Sequence, residues 1–379
     1  MTDARTGQKV VLQVLPALGT GGVERGTVEM AHAIADAGWP ALVASAGGPR
    51  EAAIVRAGGR HVTMPLTTKN PITLLRNAAR LTALIRAEGV DIVHARSRAP
   101  AWSAWLAARR TGARFVTTYH GAYGEDLPLK RQYNAIMARG DRVIAISRYI
   151  ADLIGQRHMG LRADRIRVIP RGVDPVLFDP AAVSGERIAK LAQRWRIPEG
   201  AQVIMLPGRL AGWKGQDVLL KALPLVAYHD AVAVFVGGGK ERQETALVAR
   251  AEAMGLESRV RVVGNCDDMP AAYMLADVVV NASTKPEAFG RVVIEAQAMA
   301  RPVVATDHGG AVETVIHLET GYRVRPGDPA ALAAAIDQAL DLPPDKRHAL
   351  GARARTWVTT YYTTAAMQAA TLDVYRELL

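Results

Sequence analysis

Apolar runs of strand length alternate with amphipathic helical stretches along the whole chain, and the scheme plays out twice. In the first half the strand-like runs are VVLQVL (10–15), ALVAS (41–45), HVTM (61–64), DIVHA (91–95), RFVTTY (114–119), RVIAI (142–146) and IRVI (166–169). In the second they are VIML (203–206), AVAVFVG (231–237), VRVVG (260–264), DVVVN (277–281), PVVAT (302–306) and GYRV (321–324). Helical patterns such as GTVEMAHAIADAG and ITLLRNAARLTALIRAEG lie between them, each closing on Gly as helix C-termini prefer. Parallel strands need a crossover that is usually a helix, so the alternation predicts an α/β chain with parallel, doubly wound sheets.

Two such sets predict two Rossmann-like domains, and 379 residues are more than one core comfortably fills. The boundary falls near IPRGVDPVLFDP (169–180), where three prolines and a glycine interrupt both periodicities. The reading is a first domain over residues 1–175 and a second over 176–359. The last segment, DKRHALGARARTWVTTYYTTAAMQAATLDVYRELL, reads as helix with no following strand. Its end, from about residue 360 to 379, is expected to cross back onto the first domain.

No apolar stretch reaches the eighteen or so residues that a membrane-spanning helix needs. The N-terminus, MTDARTGQKVVLQVLPALG, starts polar and lacks the layout of a signal peptide. The single cysteine, Cys266, rules out an internal disulfide and fits the cytosol. Charge is placed unevenly. Residues 1–178 hold 25 Lys and Arg against 13 Asp and Glu, a net +12, while residues 179–379 hold 22 against 23, a net −1. Such a first half suits nucleic acid, an anionic membrane or an anionic lipid acceptor; a general arginine bias would raise both halves alike.

Ligands of open parallel sheets sit at the carboxyl ends of strands. Every candidate residue lies just after a strand-like run, so all are expected to face one cleft between the domains. Glu287 and Glu295, in KPEAFGRVVIEAQAM, flank Phe289-Gly290 and an apolar run. Arg209 and Lys214, in PGRLAGWKGQD, follow VIML. Two cations suit a diphosphate, one gripping oxygens bidentately and one acting as a mobile point charge. Two carboxylates suit sugar hydroxyls, and Glu295 suits the adjacent donors of a ribose diol. The alternative is an exposed loop charge at Glu287 and a solvated helix residue at Glu295. Gly19-Thr20-Gly21-Gly22 opens the first helix, where bare backbone amides suit an anion; a tight turn is the plain alternative. His120 follows RFVTTY and suits a sugar hydroxyl or a structural role, whereas His94, inside DIVHA, suits the core. Arg96, Arg98, Arg109, Arg110 and Arg114 form either a cationic binding face or a solvated one. His308-Gly309-Gly310 is a further glycine-rich strand end, and the backbone at 264–266 suits a nucleobase. Asp267 and Asp268 are adjacent and point apart, so no metal set is read from them.

These residues resemble the retaining nucleotide-sugar glycosyltransferases of the GT-B fold, glycosyltransferase family four. The resemblance runs through GGVERGTVEMAHAIADAGW, TTYHGAYG, AISRYIADLI, VIPRGVD, PGRLAGWKGQDVLLKA, KPEAFGRVVIEAQAMARPVVAT, HGGAVETV and TGYRVRPGDP, nearly the whole chain. It implies that Arg209 and Lys214 bind the diphosphate and stabilise the leaving nucleotide. It implies that Glu287 holds hydroxyls of the transferred sugar, Glu295 the ribose, and His120 the neighbourhood of the sugar 6-hydroxyl. Gly21 and Gly22 would lie against the phosphates or the acceptor, and Phe289 and Gly290 would offer backbone amides. It also implies retention of anomeric configuration, no metal and no cofactor besides the donor substrate. The acceptor would be a lipid-linked saccharide at the cytoplasmic membrane face, with the enzyme peripheral there and no nucleic-acid partner. HARSRAPAWSAWLAARR, TTYHGAYG and EAFGRVVIEAQAM are similar to enzymes that extend lipopolysaccharide core sugars, whose acceptors are anionic. Two other readings stay open: a sugar-nucleotide 2-epimerase of the same architecture, and a non-enzymatic basic protein that binds membrane or nucleic acid.

Overall fold

A computed structural model of the chain describes residues 8–124 and 127–379. The polar start at residues 1–7, read above as no leader peptide, lies outside them. The chain divides into two compact units, residues 1–170 with 364–379 and residues 171–363.

Among the described residues, the first unit is built on a parallel seven-stranded sheet. Its strands are β1 (Val11–Val14), β2 (Ala41–Ser45), β3 (Arg60–Thr63), β4 (Ile92–Ala95), β5 (Arg114–Tyr119), β6 (Arg142–Ala145) and β7 (Ile166–Val168), in the order β3-β2-β1-β4-β5-β6-β7. The central strands are buried along their length, and the edge strands β3 and β7 are not. That contrast is what a sheet covered on both faces produces. The order reverses between β1 and β4, so the loops after those two strands open the crevice of this sheet.

The second unit repeats the plan. Its strands are β8 (Val203–Pro207), β9 (Val232–Val236), β10 (Val260–Gly264), β11 (Val278–Asn281), β12 (Val303–Thr306) and β13 (Tyr322–Val324), all parallel, in the order β10-β9-β8-β11-β12-β13. Its order reverses between β8 and β11. The loop carrying Arg209 and Lys214 follows β8, and the loop carrying Glu287 follows β11.

The last segment is two helices, Pro344–Tyr361 and Thr364–Arg376, where one continuous helix was expected. Tyr362 leaves helical geometry at φ −131° and ψ 46°. Its carbonyl accepts from the Val173 amide at 2.8 Å, and Thr363 forms an isolated parallel bridge to Val173. The run from Val358 to Thr364 is rich in β-branched and aromatic residues, which give up helix at little cost. The final helix belongs to the first unit. Met367, Leu372, Val374 and Tyr375 join the core formed with Val11, Ile34 and Ile92. Glu377 pairs with Arg142 and Arg167 at 2.8 and 2.7 Å.

Candidate active site

In the second unit, the loops after β8 and β11 are fastened to each other. Gly215 sits at φ +80°, and a Cβ there would stand 1.9 Å from the Ala282 carbonyl oxygen. Only glycine lets the two backbones approach so closely. The Thr284 amide also donates to the Trp213 carbonyl at 2.7 Å. This junction brings the Lys214 ammonium 2.6 Å from Glu287 Oε1, and 4.6 Å from the centre of the Trp213 ring. Both side chains of the ion pair are largely buried. The Ser283 hydroxyl donates to the same carboxylate oxygen. The carbonyl of Ser283 accepts from Thr306 Oγ1 at 3.1 Å and from His308 Nε2 at 2.8 Å, so the proton of that imidazole is on Nε2. Glu287 Oε1 is therefore committed. Oε2 is turned toward Gly290, 3.8 Å from where a Cβ would be, beside the buried Asn281 amide.

The glycine turn after β12 lies against this loop. The Gly310 amide donates to the Glu287 carbonyl at 2.8 Å, and a Cβ on Gly309 would stand 2.5 Å from that oxygen. Phe289 is a core residue, with its ring 5.8 Å from that of Tyr362. What it has to offer a ligand is its backbone. Gly290, at φ +85°, precedes the helix Arg291–Ala298. Glu295 stands on that helix, buried. Its Oε2 accepts from the Tyr273 hydroxyl at 2.9 Å, and its Oε1 lies 3.9 Å from Arg291 Nε. Neither glutamate is the solvated charge that the plainer reading supposed. Arg209, in contrast, is exposed, and its guanidinium makes no hydrogen bond or ion pair among the described residues.

At the ends of β9 and β10, the Gly238 amide donates to Asn265 Oδ1 at 2.8 Å, which holds the 264–266 backbone next to the glycine turn. Cys266 is half-buried, and burial pushes its thiol up from the ordinary value. Asp268 is engaged: Arg187 grips both its oxygens at 2.6 and 2.8 Å and holds its carboxyl below the usual range. It also caps the helix Met269–Leu275 through the Ala271 amide.

In the first unit, Gly21 caps the helix Gly22–Asp36, and both glycines are exposed. Glu24 stands in the first turn, with a carboxylate oxygen 2.6 Å from a Cβ position on Gly21. That charge opposes an anion at the same helix end. His120 follows β5 and is partly buried. Near it, Arg98 lies over the Tyr123 ring at 4.2 Å, and burial pushes the Tyr123 phenol up to about 12. His94 is in the core, bonded to the Tyr375 hydroxyl and Thr118 Oγ1, both at 2.7 Å. The basic run after it does not form a single face. Arg96 is buried and donates to Gln13 Oε1 at 3.0 Å. Arg98 donates to Asn134 at 2.8 Å. Arg109 lies over the Trp105 ring at 5.2 Å, and Arg139 over the same ring at 4.6 Å. Arg110 and Arg114 are exposed. Charge counting cannot separate these, because a guanidinium is buried or stacked according to the side chains that the fold brings to it.

Sequence reading did not single out Ser283, Tyr273 or Trp213. Ser283 lies four residues before Glu287, a spacing that gives no signal in a loop. Tyr273 lies 22 residues before Glu295 on another element.

Comparison with known proteins identifies the family. Residues 188–357 match the family described as Glycosyl transferases group 1, and residues 20–177 match Glycosyltransferase Family 4. The chain is 32% identical over 335 residues to a GDP-mannose-dependent alpha-(1-6)-phosphatidylinositol monomannoside mannosyltransferase of Mycobacterium tuberculosis, covering 84% of each. It is 31% identical over 334 residues to a D-inositol 3-phosphate glycosyltransferase of Salinispora tropica, covering 78% of this chain but only 66% of that relative. A crystal structure of a glycosyltransferase from Rickettsia africae superposes with a TM-score of 0.90 at 36% identity, covering 98% of this chain and 99% of the other.

Proposed function

The chain belongs to the group 1 and family 4 glycosyltransferases, with two doubly wound units of the GT-B fold, and from that premise we propose that it moves a sugar from a nucleoside-diphosphate donor to an anionic lipid-linked saccharide. The observation that carries this reading is the meeting of Lys214 and Glu287 at the switch point of the second sheet. A cation for phosphate and a carboxylate for sugar hydroxyls stand within one ligand's reach, at the edge where α/β sheets bind nucleotides.

When the bond from the anomeric carbon to the β-phosphate breaks, negative charge collects on the departing diphosphate. Lys214 and the exposed Arg209 supply the neutralising charge, so a divalent metal is not required. Glu287 Oε2 accepts from the transferred sugar's hydroxyls while Ser283 and Lys214 hold Oε1. Glu295 accepts from the ribose. Phe289 and Gly290 contribute backbone amides, and the sugar is transferred with retention. Gly21, Gly22 and His120 serve the acceptor and the sugar; the carboxylate of Glu24 favours hydroxyls over phosphate at the Gly21 turn.

The acceptor reading rests on charge. Two relatives are named for inositol phosphate and phosphatidylinositol substrates, and the sequence likeness noted above is to lipopolysaccharide core enzymes. Both acceptor classes are anionic, and lipopolysaccharide core synthesis is the role proposed here. Among the described residues no helix is long and apolar enough to cross a membrane. A peripheral position at the cytoplasmic face fits the basic first half. It also fits the exposed Ile72 and Leu75 beside Lys69 and Arg76, and the exposed Leu127 and Leu129 beside Lys130 and Arg131.

The test is a screen of GDP- and UDP-sugars against purified lipid acceptors, reading nucleotide release with and without acceptor and with excess EDTA. Release that needs acceptor and survives EDTA is expected. Conversion of the donor without acceptor would replace this reading with an epimerase. Loss in EDTA restored by Mg²⁺ or Mn²⁺ would overturn the metal-free part.

A further inference from the structure

Glu295 does not set its own orientation. It is buried, and its Oε2 accepts from the Tyr273 hydroxyl at 2.9 Å. Tyr273 is itself fully buried, and the ring of Phe178 packs edge-on against it with centroids 6.0 Å apart and planes at 60°. Its helix, Met269–Leu275, is fixed at the start by Asp268, which Arg187 grips through both oxygens. The phenol therefore reaches the carboxylate from a rigid support. A buried tyrosine hydroxyl needs an acceptor, and a buried carboxylate needs donors. A carboxylate offers about four lone-pair sites; the phenol takes one on Oε2 and so restrains the group's orientation, with Arg291 Nε 3.9 Å from Oε1.

We propose that Tyr273 is a positioning residue for donor binding: its hydroxyl holds the Glu295 carboxylate in the plane that accepts the ribose hydroxyls. The proposal rests on the reading of Glu295 as the ribose contact. Tyr273 does not touch the donor. It acts through Glu295, and its contribution is greatest for ligands that carry both ribose hydroxyls.

The experiment measures dissociation constants of UDP, GDP and their 2′-deoxy counterparts by calorimetry, for the native protein, Tyr273→Phe and Glu295→Gln. The native protein should favour the ribonucleotide. Tyr273→Phe should shrink that preference by about three- to tenfold, the scale of one hydrogen bond to a charged group. Binding of the 2′-deoxy ligand should weaken less than that of the ribonucleotide, and kcat at saturating donor should fall less than about twofold, as for lost ground-state binding. Tyr273→His, which keeps an N–H donor, should recover part of the preference. Melting temperatures measured alongside identify any variant that has lost its fold. Equal weakening of both ligands in Tyr273→Phe would make the phenol merely structural and overturn the proposal, as would failure of Tyr273→His to recover any preference. If Glu295→Gln loses the preference and Tyr273→Phe keeps it, the ribose reading stands and this proposal falls. If Glu295→Gln keeps it, both fall.

Discussion

Lys214 and Glu287 stand 73 positions apart in the chain and 2.6 Å apart in the fold. The ammonium suited to a diphosphate is held by the carboxylate suited to a sugar. On the proposed reading a donor brings its diphosphate to Lys214 and its sugar hydroxyls to Glu287 Oε2, while Lys214 and Ser283 keep Oε1, so neither charge is left bare before or after binding. Among the described residues Arg209 has no such attachment, and it is exposed.

The two cations should therefore fail differently when removed. Arg209→Ala is expected to weaken donor use by about 1.5–3 kcal/mol, the range for a hydrogen bond to a charged group, with an unchanged melting temperature. Lys214→Ala should match that loss and also destabilise the second unit by about 1–3 kcal/mol, because it leaves Glu287 buried without its cation. Steady-state kinetics and calorimetric melting on both variants check this. Equal melting temperatures would mean that the ion pair contributes nothing to the fold.

Gly215→Ala should damage the site from a distance. The new Cβ would strike the Ala282 carbonyl, and φ +80° strains any L-residue there by about 1–3 kcal/mol. The loops after β8 and β11 must then separate, which moves Lys214 away from Glu287. The variant is expected to melt earlier and to lose donor binding together with stability. Undisturbed binding in a folded variant would show that the two loops act independently.

Membrane attachment is best tested away from Arg109, whose guanidinium is committed to Trp105. Leu75 and Arg76 are exposed neighbours on the helix Pro71–Glu88. Leu75→Ser with Arg76→Glu should reduce binding to anionic vesicles and transfer to lipid acceptor, with donor affinity unchanged. Native binding should fade as salt rises toward about 0.5 M, because exposed charges are screened within roughly 8–10 Å. Normal vesicle binding by the double variant would move the attachment to another face.

Acid should loosen the final helix. Hydrogen bonds from Arg167 and Arg142 hold the Glu377 carboxyl below its ordinary value of 4.5. A depressed folded-state pKa gives stability that is fully present above the unfolded value and is lost as pH falls through the folded one. The melting-temperature gap between the native protein and Glu377→Gln should thus be constant above the ordinary carboxyl range and close as pH falls through and below it. A gap independent of pH would assign the effect of the substitution to packing.

The sheets were legible in the sequence because a parallel strand buried on both faces writes itself as an unbroken apolar run, as VFV in β9 and VVVN in β11 do. The site was legible as far as its residues lie at strand ends with charges that a core would not tolerate. What held those charges in place was not. Tyr273 looks like any aromatic of an amphipathic helix, and Ser283 like any loop serine. Their meaning comes from a carboxylate that arrives from elsewhere in the chain. Arg96 misled for the same reason, since nothing local says that Gln13 will receive it inside the fold. The break at Tyr362 was visible only as a weak run of β-branched residues, and the Val173 contact that fixes it is long-range.

Residues 364–379 come after the whole second unit in sequence and yet finish the core of the first. A ribosome making this protein completes every residue of the second unit before it supplies Met367, Leu372 and Tyr375 to the first. At about 5–20 residues per second, the intervening stretch takes on the order of ten to forty seconds to translate. Throughout that interval His94 lacks the phenol it bonds to, and the Gly22–Asp36 helix lacks the neighbour that covers it. The first unit, begun before the second, is thus closed only after it.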